Sequence, residues 1–176
     1  MLNVLLGIVR MTLNRIIEES AEYKPFLIEY AHAVTEGAVS PRDVNGYFKV
    51  RLGGVVLEPS KDHSIDNNYE EYFRPDMFFN ELRFLDVAEE LVLGNGPVDI
   101  QFYRSERLIL SFSRNGASIR VSTEKTDPSS VLFNPAICYE DLPINTAIGQ
   151  LKNVYVEVAT LNGRSIDNCK LELIAN

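Results

Sequence analysis

Acid–base chemistry has one candidate centre in this chain. His63 lies in the run Lys61-Asp62-His63-Ser64-Ile65-Asp66, where Asp62 and Asp66 could orient or charge its imidazole. Placed at the mouth of a small pocket, that trio would suit proton transfer or metal ligation. A solvated polar loop is the commoner use of such residues. The second histidine, His32, sits beside Tyr30, Ala31 and Ala33 and reads as a structural residue. Cys138 and Cys169 are far apart, with no CxxC spacing, so two reduced cysteines in or near the core are expected. Two cysteines and two histidines do not complete a usual zinc cage without carboxylates. No phosphate-cradling GxxxxGK[ST] or GxGxxG, no GxSxG elbow and no HExxH helix occurs. No catalytic residue, cofactor or metal is assigned on this basis.

Charge gives a stronger signal. The 176 residues carry 17 Lys+Arg against 25 Asp+Glu, a net of −8. Between Glu58 and Glu90 stand ten carboxylates against Lys61, Arg74 and Arg83, a local net of −7. Tyr69-Glu70-Glu71-Tyr72-Phe73 sets aromatic rings inside that run. Rings supply buried contact area and carboxylates steer a cationic partner, so the pattern suits recognition of a basic protein surface. The residues expected to carry it are Asp62, Asp66, Tyr69, Glu70, Glu71, Tyr72, Glu89 and Glu90. An acidic loop and helix face that simply keep the protein soluble are the commoner use of such charge.

Those residues need a scaffold. With 45% apolar and 24% charged residues, 10 Gly, 8 Pro and 2 Cys, the chain is neither disordered, collagen-like nor a disulfide scaffold. One globular domain over 1–176 is expected. Leu2, Leu5, Val9, Leu13, Ile16 and Ile17 recur at helical spacing. A second helix is predicted from Pro25 to Val34, with Phe26, Leu27, Tyr30, Ala31 and Val34 as its stripe and Gly37 as its cap. From Tyr47 to Glu58 the period becomes two, and Gly53-Gly54 suits a tight hairpin turn. Pro59–Asn68 reads as a surface loop. A helix over Asp76–Leu93 ends at Gly94 and is apolar on two sides. It is therefore either sandwiched inside the fold or exposes a face for a partner.

Three strands follow, Val98–Arg104, Leu108–Ser113 and Ala117–Thr123, with Asn115-Gly116 as a hairpin signal. Thr126–Ser130 ends this meander. Ile144–Leu161 contains the β-branched run Val154-Tyr155-Val156-Glu157-Val158, yet nine apolar residues of the segment fall on one helical arc. Helix propensity differs by tenths of a kcal/mol per residue, whereas each large side chain buried contributes about 1.5–3 kcal/mol. The segment is predicted to be a helix. Ile166–Ile174 fits either a short strand or a short helix. The layout is α+β, a mainly antiparallel sheet of hairpin plus three-stranded meander, packed with N-terminal, central and C-terminal helices.

In size, acidity and α+β layout the chain is similar to small acidic bacterial immunity proteins, which neutralise toxins by covering a cationic active site. The resemblance implies a non-enzymatic inhibitor of a basic partner. Two other readings stand beside it: a small-ligand binder or enzyme with a pocket near His63, and a homo-oligomer using the spare face of the Asp76–Leu93 helix. The acidic balance argues against nucleic acid and anionic membranes. The apolar amino end, Met1 to Val9, has no basic run before it and no small-residue cleavage site after it, so cytoplasm is the expected location.

Overall fold

The computed structural model describes residues 25–32, 46–58, 73–75, 79–103, 107–127 and 139–174. Within them β1 (Phe26–His32), β2 (Gly46–Leu52) and β3 (Val55–Leu57) form an antiparallel sheet in that order. A second antiparallel sheet runs β4 (Arg74–Pro75), β5 (Val98–Tyr103), β6 (Arg107–Asn115), β7 (Ser118–Ser122) and β8 (Tyr139–Pro143). Helix α1 (Leu82–Leu93) precedes β5; α2 (Ile144–Leu161) and α3 (Asn168–Leu173) follow β8. The fold is α+β, and the hairpin and meander are both present.

The hairpin forms as its sequence dictates. Gly53 and Gly54 take φ of 60° and 77°, the left-handed pair a two-residue turn needs, and Leu52 pairs with Val55. The second turn differs by one residue from the Asn-Gly pattern. Asn115 pairs with Ser118, so the two central residues are Gly116, at φ 60°, and Ala117. Glycine in the first central position alone is the mirror-type turn that tolerates an ordinary second residue.

The segment after Pro25 is a strand, not the predicted helix. Phe26, Ile28 and Tyr30 are buried while Leu27 and Glu29 are not, an alternation that fits its full register with β2, from Phe26 opposite Leu52 to His32 opposite Gly46. Backbone pairing with β2 overrides the local stripe. Val34, Gly37 and the predicted helix over residues 2–17 lie outside the described residues. Helix α1 starts at Leu82 rather than Asp76: the N-cap Glu81 makes no side-chain cap, and the Asn80 side chain instead accepts the Leu82 N–H at 2.9 Å, satisfying one of the free donors of the helix start. Its end is the predicted one. Gly94 is left-handed at φ 77°, its N–H bonds Leu91 O, and Asn95 N–H bonds Glu90 O, a Schellman closure. Strand β8, unpredicted, has one buried residue, Leu142. It is held by its ladder with β7 and a two-pronged Arg120–Asp141 bond at 2.9 and 2.8 Å. Ile166–Ile174 resolves as the short helix α3, capped by Asp167, whose carboxylate accepts the Lys170 N–H at 3.0 Å.

Helix α2 occupies the predicted span. Ala147, Ile148, Leu151, Val154, Tyr155, Val158 and Ala159 are buried, all on the arc the period assigned. It packs against α1, β1, β7 and β8, while α1 also rests on β5 and β6. Both apolar sides of α1 are thus used inside the fold, and only Leu93 among its large apolar residues is exposed. The core centres on Phe48, whose ring lies 5.0 Å from Tyr30, 5.7 Å from Phe79 and Phe84 and 5.1 Å from Phe102. Such ring pairs add about 0.5–1.5 kcal/mol beyond their buried area. They tie strands of both sheets to α1.

Candidate functional site

Strand β2 carries two neighbours along one edge. β3 pairs with Val50–Leu52, and Phe73 then pairs with Phe48 through two backbone hydrogen bonds of 2.6 Å. The chain therefore leaves the sheet after Leu57, opposite Val50, and returns at Phe73, opposite Phe48. Leu57 and Phe73 are each 1% exposed, so both ends of the 58–72 connection are anchored in the core at neighbouring points. Directly after Phe73, Arg74 donates to the Tyr47 hydroxyl at 3.3 Å and covers its ring, while β4 pairs with the end of β5, Arg74 opposite Tyr103 and Pro75 opposite Phe102.

Asp62, His63, Asp66, Tyr69, Glu70, Glu71 and Tyr72 belong to this connection and lie outside the described residues, as does Cys138. His32 ends β1, a strand in place of its predicted helix. Cys169 is an exposed free thiol on α3. Glu89 is exposed and Glu90 half-buried on α1, where the Glu90 carboxylate accepts from Asn95 Nδ2 at 2.7 Å. Among the described residues, no three His, Cys, Asp or Glu side chains gather as a metal site requires.

Glu81, just before α1, and Asp86 and Glu89 on it are matched from the C-terminal segment. Glu81, 6% exposed, receives Arg164 Nη1 at 2.7 Å. Lys170 reaches Asp86 at 2.5 Å and Glu89 at 3.2 Å. The Asp86 hydrogen bond raises the Lys170 ammonium above its ordinary value; burial opposes this and Glu89 adds to it. Asp86 and Glu89, three apart, share one helix side, so one cation serves both. These pairings are absent from the local charge pattern because Arg164 and Lys170 lie 83 and 84 residues further along the chain. No local pattern announces such partners.

An open groove of about 490 Å³ separates the start of α1 from β5 and is lined by Asn80, Leu82, Arg83, Asp86, Asp99 and Gln101, with Phe79 beneath. Its charges are already engaged. Arg83 donates to the Asp99 carbonyl at 2.7 Å, Lys125 bonds both Asp99 carboxylate oxygens at 2.9 and 2.7 Å, and Ser111 donates to Oδ1 at 2.7 Å. Burial pushes the Asp99 carboxyl up, but the Lys125 and Ser111 bonds outweigh it and leave it below its ordinary value. A carboxylate held so firmly in its ionised form is a poor proton acceptor. Where β1 meets α2 the reverse holds: burial, then the nearby Glu29, raise the Glu157 carboxyl.

No family model, no curated protein sequence and no solved structure matches the chain.

Proposed function

We propose that the chain is a non-enzymatic binding module whose 58–72 connection engages a basic protein surface, as an inhibitor covers a cationic site. The observation that supports it is the anchoring of that connection. Fifteen residues (58–72) leave and rejoin one edge of β2 through two fully buried residues. Loops longer than about 12–15 residues are uncommon in compact domains and are either functional or linker-like; two buried anchors at neighbouring points favour the first use, since binding residues are favoured on loops held by a rigid base. Tyr69 and Tyr72 are the contact rings; Asp62, Asp66, Glu70 and Glu71 supply the steering charge. Glu89 and Glu90 are partly satisfied by Lys170 and Asn95 and carry less of the steering charge.

The test compares proteins retained from the native host by the immobilised chain and by its Glu70→Lys/Glu71→Lys variant. Retained partners should be basic, and reversal should slow their association about tenfold or more at low salt. An unchanged set of partners, captured at the same rate by the reversed variant, overturns the reading.

A further inference from the structure

At the opposite end of α1, a second open groove of about 440 Å³ lies among the end of α1, the start of α2 and the end of α3. Val92, Ile144, Ile148 and Ile174 give it apolar walls, and Arg114 and Lys152 bring two cations. On a chain of net −8, no carboxylate lines it among the described residues. Arg114 spends one donor on the Val92 carbonyl at 3.3 Å, and Lys152 one on the Leu171 carbonyl at 3.0 Å. A guanidinium has five N–H donors and an ammonium three, so both retain donors for a ligand.

Gly149 provides an independent observation. It stands in the first half of α2 and also lines the groove. A Cβ built on it meets nothing within 4 Å among the described residues, so close packing against them is no reason for the glycine. Glycine is an unfavourable residue inside a helix, and here it leaves the floor of the groove open. Leu93 and Leu173, next in sequence to Val92 and Ile174, are 67% and 72% exposed. Exposed apolar surface rimmed by polar groups marks interaction sites.

We infer that this groove docks a partner's peptide segment in which an aliphatic side chain stands beside a carboxylate. The aliphatic group rests on Ile144, Ile148 and Val92, and the carboxylate meets Arg114 and Lys152. The site shares no residue with the 58–72 connection and does not depend on its function.

Fluorescence-anisotropy titration of labelled Glu-Leu-Leu-Glu and the neutral Gln-Leu-Leu-Gln peptides tests the inference. The acidic peptide should bind at least about tenfold more tightly, one ion pair's worth of discrimination. Gly149→Glu, which places a carboxylate in the open space, should weaken it about tenfold or more while circular-dichroism melting shows the helix retained. Glu70→Lys/Glu71→Lys should leave this affinity unchanged. Equal binding of the two peptides, or full affinity in a folded Gly149→Glu variant, overturns it.

Discussion

Glu81 and Arg164 bring opposite charges into a setting with little water, their side chains 8% and 19% exposed. An ion pair there is held by geometry: each charge is tolerable only while the other is present. Glu81→Ala leaves Arg164 half-buried without its counter-ion and should cost about 3 kcal/mol in urea unfolding. Removing both partners should cost less than the sum of the single changes. Strictly additive losses would show that the pair does not act as a unit. Glu157 makes the opposite case. With its carboxyl raised by burial and Glu29, its contribution favours folding below the ordinary carboxylate range and is lost as pH rises through its raised value. Glu157→Gln should therefore raise the Tm at pH near 7 and change it little at pH near 3. An equal gain at both pH values would contradict this account.

At the scale of elements, β1 and β2 meet at their ends with no room to spare. A Cβ at Gly46 would strike the Ala31 carbonyl and the Tyr30 ring, and the Tyr30 hydroxyl is itself held by Asn162 Nδ2 at 2.8 Å. Gly46→Ala should cost about 1–3 kcal/mol in denaturant melts, the usual penalty of overpacking; a neutral result would mean that β1 can slide aside. This strand also marks where sequence legibility ends. Phe26 and Tyr30, four apart, satisfy the helical period and the strand period together, so the pattern of β1 was ambiguous and its partner decided. The α2 segment was legible because nine apolar residues agree on one arc over five turns, enough to outweigh β-branched propensity. Strand β8 was invisible: with Leu142 alone buried, no periodicity exists to read. The cation partners of α1 were hidden for a different reason, since contacts across 83 and 84 residues leave no trace in local spacing. The candidate binding residues were legible as composition, and the anchoring of their connection at Val50 and Phe48 was not.

At the scale of the molecule, several acids among the described residues are already paired. Glu81, Asp86 and Glu89 are taken up by Arg164 and Lys170, and Asp99 and Asp141 by Lys125 and Arg120. On the proposed reading, outward recognition falls to the acids of the 58–72 connection, whose ends meet the core at Leu57 and Phe73. The most direct test places a photo-crosslinker at position 69 in the full chain within its native host. It should capture basic proteins at about 0.1 M salt and lose them at about 1 M, where the screening length falls from about 10 Å to about 3 Å. Adducts of no charge preference, or adducts indifferent to salt, would contradict it.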